Sequence, residues 1–293
     1  MKLSAVILPC ARWESAREKW RRADEWGLHA GYTYDHLSWR SFRDKPWFTM
    51  VPTLAAAAGV TSRLRLGPLV TSPNFRHPLV LAKDLLTLDD LSGGRLVVGV
   101  GAGGTGFDAT VLGGAAWSRA ERHQRFVEFT HALDRLLREP RSHLAGPYYP
   151  VVDSRQIPGP LQLPRPPLYV SALGPRSLAL SASLADGWVS TGSPDPDVTS
   201  TYDAVKLQVA TLNSELARHG RDPSSLHRVF LDFADDETPM ASYASFVEWA
   251  QRYRALGFDE VVVHWPEPDS PFDYDERLFE RVATEGAASL AAW

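Results

Sequence analysis

Short apolar runs alternate with stretches of helical periodicity along the whole chain. In the clearest unit, apolar runs at residues 64–70 and 95–100 flank a segment, residues 78–91, whose leucines recur near a 3.6-residue period. Pro78 suits the first turn of a helix, and Gly93 with Gly94 suits its end. The two runs show little alternation of polar and apolar residues, as in strands buried on both faces. This unit is therefore predicted to be strand–helix–strand with parallel strands.

The same alternation predicts eight strands, at residues 3–8, 30–34, 64–70, 95–100, 168–171, 187–190, 229–233 and 260–264. Helices are predicted at residues 14–26, 48–58, 78–91, 119–138, 175–185, 202–219, 243–256 and 275–290. Eight such units without a break in composition predict an α/β fold, a (β/α)8 TIM barrel, with residues 1–293 as a single domain. A doubly wound sheet is the alternative.

Residues 140–167 interrupt the alternation with eight prolines, and they predict an extended irregular loop excursion before strand 5. Loops of this length in a compact domain are usually functional. Together with the aromatic loop at residues 39–47, the excursion is expected to form a rim that encloses a substrate.

Composition narrows the partners of this chain. The net charge of −4 comes without a dense basic patch, so we expect no nucleic acid partner. No window of 18 uninterrupted apolar residues occurs, so we expect no membrane partner. A single cysteine, Cys10, excludes an internal disulfide framework and indicates a reducing compartment. These features predict a soluble, cytoplasmic protein.

Polar and glycine residues gather where the predicted strands end, which is where ligands bind in parallel α/β folds. Asp35 and His36 follow the second strand; either they are an ordinary capping residue and a surface histidine, or His36 transfers a proton. The glycine-rich turn at residues 101–104 suits a flat ligand, whereas a dinucleotide fingerprint would need a helix sooner than residue 119. Arg76 is either an ordinary residue before a helix or a contact for an anion.

Two other kinds of site lack support in the sequence. No HExxH or clustered Cys/His spacing is present, so we expect no metal site. No GxSxG elbow is present either, so serine hydrolysis lacks its nucleophile. Ser171 and the glycine–proline helix start after it would suit an anion.

Three segments together carry a family resemblance: LVTSPNFRHPLVLAKDLLTLDDLSGGRLVVGVGAGG, the earlier Tyr34-Asp35-His36, and LYVSALGPRSLALSASLADGWVSTG. In order and over nearly the whole chain, they resemble the bacterial luciferase-like superfamily. Its members are flavin monooxygenases and oxidoreductases that depend on the 5-deazaflavin coenzyme F420. The resemblance implies a (β/α)8 barrel and an oxidoreductase.

The resemblance also implies roles for individual residues. Asp35 and His36 match a pair that contacts the cofactor ring, and His36 lies near the hydride path. Thr71 and Ser72 match a bulge, often a cis non-prolyl peptide, that supports the ring. The remaining matches are the strand exit beside the ring (Gly101, Ala102, Gly103 and Gly104), the phosphate-binding loop (Ser171, Leu173 and Gly174) and a second phosphate-side turn (Thr191, Gly192 and Ser193). Leu173 departs from the Gly-Gly of many relatives.

One departure changes the expected substrate. Sugar-phosphate dehydrogenases of the deazaflavin branch have a glutamate where this chain has Gly104. The sugar-phosphate reaction is therefore not expected, and an acid/base role passes to His36 or Asp108.

The Asp-His pair favours coenzyme F420 over FMN, because luciferase-type flavin enzymes commonly show Glu-His or Glu-Asp there. We expect hydride transfer between reduced F420 and a small organic substrate, such as a secondary metabolite. The alternatives are a reduced-FMN-dependent monooxygenase and a non-catalytic flavin-binding protein. A homo-oligomer, namely a dimer, and a separate cofactor reductase are expected partners.

Overall fold

The computed structural model describes residues 1–192, 200–233 and 237–292. Its strands are β1 (Lys2–Val6), β2 (Ala30–Thr33), β3 (Arg65–Pro68), β4 (Val98–Val100), β5 (Arg141–Leu144), β6 (Val151–Arg155), β7 (Leu168–Ser171), β8 (Gly187–Ser190), β9 (His227–Leu231) and β10 (Glu260–His264). Its α-helices are α1 (Trp13–Glu25), α2 (Met50–Ala58), α3 (Pro78–Leu91), α4 (Arg119–Arg138), α5 (Pro175–Leu184), α6 (Thr201–Arg218), α7 (Tyr243–Ala255), α8 (Glu276–Arg281) and α9 (Ala287–Ala291). None of the described helices has the length and apolarity that a membrane crossing requires.

The chain divides into two compact units. The first unit comprises Met1–Ile7, Arg21–Tyr32 and Tyr169–Trp293, and the second comprises Leu8–Trp20 and Thr33–Leu168.

The first unit is built on parallel strands in the order β2-β1-β10-β9-β8-β7. All five residues of β10 are buried, which is the pattern of a parallel strand covered on both faces. Large aromatic side chains fill the space under its helices. Phe230 of β9 stacks on Tyr253 of α7 with ring centroids 3.7 Å apart, and Trp188 of β8 is fully buried.

The second unit contains β3 and β4, which run parallel with α3 between them along the chain. Helix α3 begins and ends at the predicted residues, and the His77 side chain caps it by accepting from the Leu79 amide at 3.2 Å. The predicted apolar side of α3 is buried except near its two ends, where Leu79 is half-buried and Leu91 is 55% exposed. Helix α4 also has the predicted bounds.

The excursion at residues 140–167 is not wholly irregular as predicted, because β5 and β6 form an antiparallel hairpin within it. The hairpin begins at the end of α4, and its tip returns to the first half of that helix. There the Glu128 carboxylate accepts from the backbone amides of Tyr148 and Tyr149 at 3.1 and 2.6 Å.

Eight of the described strands pair in parallel and alternate with helices along the chain, as predicted for a (β/α)8 fold. The closing helix differs from its prediction because a π-helical turn, Val282–Gly286, separates α8 from α9. A Cβ on Gly286 would lie 2.9 Å from the Phe246 ring, so the turn passes close to α7.

Candidate active site

Asp35 is buried just beyond β2 and is fully engaged by protein groups. It is 1% exposed, and Arg76 donates to it in a two-point contact, Nη2 to Oδ1 at 2.7 Å and Nε to Oδ2 at 3.0 Å. The Thr71 hydroxyl donates to Oδ2 at 2.6 Å. These contacts fasten the chain after β2 to the exit of β3 and to the start of α3. Arg76 therefore binds a carboxylate of the protein itself.

Electrostatics around this pair follow from burial. Burial alone would lower the pKa of Arg76, but the hydrogen bonds and charge of Asp35 outweigh it, and the pKa is raised. Partial burial raises the pKa of the nearby Asp84, with Arg76 opposing that shift and Asp35 adding to it. Arg76 thus stays positively charged beside Asp35.

His36 and Asp108, the two residues predicted to carry acid/base chemistry, lie in direct contact. His36 Nδ1 is 2.5 Å from Asp108 Oδ2, and the other carboxylate oxygen accepts from the Leu37 amide at 2.9 Å. Asp108 is 5% exposed, whereas the His36 side chain is one third exposed. With Nδ1 held by Asp108, Nε2 is the ring nitrogen left to meet a substrate. A carboxylate–histidine pair of this kind fixes the tautomer and orientation of an imidazole that transfers protons.

Aromatic side chains of the 39–47 loop surround His36. Trp39 and Trp47 have ring centroids 6.3 and 6.4 Å from the imidazole, and they stack on each other at 5.9 Å. Trp47 Nε1 also donates to the His36 carbonyl at 2.9 Å. The loop is therefore placed beside His36, as predicted, and it forms an apolar wall there.

The hairpin half of the predicted rim is only partly placed as expected. Its tip reaches the start of α3, where Tyr149 and His77 have ring centroids 5.7 Å apart. Farther along, however, the Leu161 amide donates to Asp89 and Gln162 Nε2 donates to the Leu96 carbonyl. Those partners lie at the end of α3 and just before β4, so this stretch lies away from the strand exits and the rim prediction is wrong for it.

The exits of β3 and β4 lie side by side, which brings Thr71 next to Gly101. The Thr71 amide donates to the Gly99 carbonyl at 2.9 Å, and the Gly101 amide donates to the Thr71 carbonyl at 2.8 Å. A cis peptide bond not involving proline is present here, but it joins Leu69 to Val70 and not Thr71 to Ser72. Ser72 follows directly and is buried.

Gly103 and Asn74 together form a cradle above these exits. Gly103 has a φ of +70°, and a Cβ there would meet Asn74 Oδ1 at 2.3 Å. Asn74 Nδ2 donates to the Gly104 carbonyl at 3.2 Å, while its buried Oδ1 has no hydrogen-bond partner among the described residues. Buried acceptors are normally paired, so this atom is suited to a donor on a ligand. The sequence shows Asn74 only as one more polar residue after the strand.

The predicted phosphate-side residues lie in the first unit at two adjacent strand exits. Ser171 ends β7, and Gly174 precedes α5 with Leu173 half-buried between them. Thr191 and Gly192 follow β8, and the Ala172 amide bonds the Val189 carbonyl to hold the two exits together. Ser193, named with them, lies outside the described residues.

Hydrogen bonds to Gln208 of α6 hold the turn after β8 in place. The Gly192 carbonyl accepts from Gln208 Nε2 at 2.8 Å, and Gln208 Oε1 accepts from the Ser190 hydroxyl at 2.7 Å. Gly192 has a φ of +87° and is close to Thr201, so only glycine fits this turn.

Comparisons with known proteins point to one family. The family model described as luciferase-like monooxygenase matches residues 1–234. A relative named F420-dependent glucose-6-phosphate dehydrogenase, from Microbacterium testaceum (strain StLB037), is 31% identical over 240 residues, covering 78% of this chain. The match spans 66% of that relative's own length, just under two thirds.

Two solved structures show the same fold. An F420-dependent secondary alcohol dehydrogenase in complex with an F420-acetone adduct matches with a TM-score of 0.81 at 17% identity, over 96% of this chain and 97% of its own. The monooxygenase RslO1 from Streptomyces bottropensis matches with a TM-score of 0.73 at 24% identity, over 97% of this chain and 98% of its own. The predicted (β/α)8 fold class is thereby confirmed.

Proposed function

The chain belongs to the luciferase-like monooxygenase family, and we propose that within it the protein is an oxidoreductase that depends on coenzyme F420. Its substrate is a small organic molecule that gains or loses a hydride. The observation that carries this proposal is the His36–Asp108 contact beside the glycine-rich exit of β4. Hydride transfer at a carbon leaves a proton to be moved at its neighbour, and a held imidazole is suited to that task.

The residues at the strand exits fit the ring of such a cofactor. Gly103 lets the Asn74 side chain pack directly against the backbone, and the Asn74 Oδ1, which has no partner among the described residues, can accept from a ring N–H. Gly101, Ala102 and Gly104 present backbone beside it, with Thr71 and Ser72 behind. Coenzyme F420, when bound, supplies a deazaflavin carbon that exchanges a hydride and does not activate oxygen.

We propose that the loop before α5 holds the cofactor phosphate. Leu173 and Gly174 precede α5, whose first turn has free backbone amides that favour an anion. Ser171, Thr191, Gly192 and Ser193 complete the proposed set.

The chain's own residues then have distinct tasks. His36 holds or receives the proton at Nε2, and Asp108 accepts from Nδ1 and stabilises the charged imidazolium. Trp47 keeps the His36 backbone in place and excludes water from one side. Asp35, which Arg76 and Thr71 hold in place, lies directly before His36 and belongs to the proposed cofactor-binding residues.

A sugar phosphate is not the proposed substrate, although a relative carries that name. The resemblance places Gly104 at the position of the glutamate of those dehydrogenases, and a glycine offers no acid group there. The aromatic wall of Trp39 and Trp47 beside His36 instead favours a partly apolar substrate.

Further parts of the proposal concern the assembly and its setting. We propose one domain for residues 1–293, because the strand–helix alternation runs through both compact units. A homodimer, a separate reductase that returns the cofactor to its reduced state, and a cytoplasmic location complete it. Sedimentation velocity of the purified protein tests the dimer.

The cofactor is tested by equilibrium binding of oxidised and reduced F420 and of FMN to the purified protein. Binding of F420 with no comparable binding of FMN is expected. Tight FMN binding without F420 binding would instead favour a reduced-FMN-dependent monooxygenase. Cofactor binding without turnover across a substrate panel would favour a non-catalytic flavin-binding protein.

The dyad is tested by stopped-flow measurement of hydride transfer in His36→Ala, His36→Asn and Asp108→Asn. His36→Ala should lower the rate by about 10²–10⁴-fold with cofactor affinity within a few-fold. His36→Asn keeps a donor but cannot transfer a proton, so near-full activity in it would mean positioning only. The exposed His143 provides a matched control, and His143→Ala should keep the wild-type rate.

A further inference from the structure

Two histidines and a glutamate converge at the amino-terminal ends of strands in the first unit. Glu260 is the first residue of β10, His227 is the first residue of β9, and His29 directly precedes β2. His227 Nε2 lies 2.8 Å and His29 Nε2 lies 3.9 Å from Glu260 Oε2. One ligand atom from each residue lies within 4.8 Å of the others. We propose that His29, His227 and Glu260 bind a divalent transition-metal cation.

Charge balance supports a cation at this place. Glu260 is fully buried. Among the described residues, its carboxylate interacts with Tyr32, Ser4 and the two histidines. Neither hydroxyl carries charge, and each histidine is positive only when protonated. A buried carboxylate needs a compensating charge, and a metal ion ligated by neutral imidazoles supplies it permanently.

Outer contacts orient the ligand atoms as in known metal sites. The Tyr32 hydroxyl donates to Glu260 Oε1 at 3.1 Å, which leaves Oε2 directed at the histidines. Asp259 Oδ2 lies 3.7 Å from His227 Nδ1 and is itself held by the Arg228 amide at 2.9 Å. Ligating histidines commonly have a carboxylate at the other ring nitrogen. Asp259 lies near Nδ1 of His227 but beyond hydrogen-bond distance, and a bound cation at Nε2 would favour the tautomer that carries its hydrogen on Nδ1.

The donor set and the surroundings select the class of cation. Two imidazoles and one carboxylate form a three-ligand set that leaves a fourth position for water, as in open zinc sites. A cavity of about 300 Å³ is lined by His227 and Asp259, and the cationic side chains of Lys2 and Arg254 also line it. Long-range attraction is therefore weak and direct nitrogen ligation must provide the affinity, which favours Zn²⁺, Ni²⁺ or Co²⁺ over Ca²⁺ or Mg²⁺.

Binding requires one change in protonation. The hydrogen between His227 Nε2 and Glu260 Oε2 has to leave before both atoms can ligate the cation. In a doubly protonated imidazole it is released to solvent, whereas in a neutral imidazole it moves to Nδ1, so that Nε2 has a lone pair for the cation. Below neutral pH, protons compete with the cation for the two imidazoles. Uptake of the metal should therefore become weaker as the pH falls.

The site does not depend on the proposed cofactor, and it is tested on the full chain after treatment with a chelator. Isothermal titration with Zn²⁺ should show one saturable site per chain, and Co²⁺ should give the visible absorption of a four-coordinate nitrogen–oxygen site. At a free Zn²⁺ concentration of about 100 times Kd, the melting temperature should rise by about 5 °C.

Variants separate this site from surface binding. His29→Ala and His227→Ala should each weaken Zn²⁺ binding by at least about tenfold, and Asp259→Asn should weaken it by about 10–100-fold. His219 is an exposed histidine of the same unit, and His219→Ala should leave the affinity for Zn²⁺ unchanged. Absence of saturable binding, or equal Zn²⁺ affinity in the wild type and the His29→Ala/His227→Ala double variant, would overturn the proposal. The Co²⁺ spectrum uses the wild type alone, so the proposal stays testable if a variant fails to fold.

Discussion

Replacing Arg76 by methionine should be among the most damaging single changes near the site. The substitution keeps most of the side-chain volume but removes both donors to Asp35. The carboxylate would then retain only the Thr71 hydroxyl while staying 1% exposed. An ionised group in that position lacks both solvent and a counter-charge.

The magnitude follows from burial. Side-chain exposures of 19% and 1% place the Arg76–Asp35 contact in the class of buried pairs. Removing one partner of a buried pair typically costs about 3–5 kcal/mol of unfolding free energy. Removing both charges should cost less, because the uncharged amide at position 35 of the Arg76→Met/Asp35→Asn double variant can still accept from the Thr71 hydroxyl. We expect the double variant to recover at least about 1.5 kcal/mol of the single-variant loss.

Urea unfolding followed by tryptophan fluorescence measures the effect, with equal m-values required for the comparison. Arg135→Met is the matched control, since its pair with Glu139 is exposed by 49% and 38% and should change stability by less than about 1 kcal/mol. A loss below about 1 kcal/mol in Arg76→Met, or a double variant as unstable as the sum of the singles, would refute the reasoning.

Three further changes test other parts of the structure. Burial lowers the pKa of His264 to about 3, below its unfolded value near 6.5. The free energy of unfolding is therefore unaffected by this group above pH 6.5, and it falls by up to about 1.4 kcal/mol per pH unit as the pH drops below 6.5. His264→Gln should flatten that slope in urea titrations between pH 7 and 5, and parallel slopes in variant and wild type would contradict this. Gly103→Ala should weaken cofactor binding by at least about tenfold in the same equilibrium assay, because its Cβ overlaps Asn74, and unchanged affinity would exclude the cradle. Glu128→Ala should raise the substrate KM with little change in kcat, because it frees the hairpin tip at Tyr149; an unchanged KM would remove the tip from the substrate site.

Much of the fold could be predicted because local signals coincide with tertiary ones. The bounds of α3 follow from Pro78 at its start and the glycines past its end, and the structure keeps both. Strands β7, β8 and β10 also begin and end as predicted, since continuous apolar runs are bounded by polar residues or glycine.

The hairpin could not be predicted from its hydrophobic pattern. Buried positions of β5 and β6 include Ser142 and Ser154, so the strands show no alternation of apolar and polar residues. Their partner is the preceding helix, and a contact of that kind leaves no periodic signal.

The side-chain contacts within the candidate site could not be predicted from the sequence for a similar reason. His36 and Asp108 were each singled out, but they are 72 positions apart and nothing local indicates that they touch. The contacts of Asp35 with Arg76 and Thr71 were not foreseen either, and its predicted contact with the cofactor stays a prediction.

Part of the family resemblance serves the scaffold and not the chemistry. At residues 92–95, the Arg95 guanidinium donates to the carbonyls of Ala58, Thr61 and Leu64. These groups lie before β3 and after α2, on the side opposite the strand exits. A motif can therefore identify a family through residues that never meet a ligand.

The sequence contains no indication of the proposed metal site. Metal motifs are sought at short spacing, yet parallel strands bring their first residues together as surely as their last. His29, His227 and Glu260 are far apart along the chain and converge because their strands lie close together in the order β2-β1-β10-β9. If Zn²⁺ binds there, the amino-terminal ends of these strands carry a site of their own.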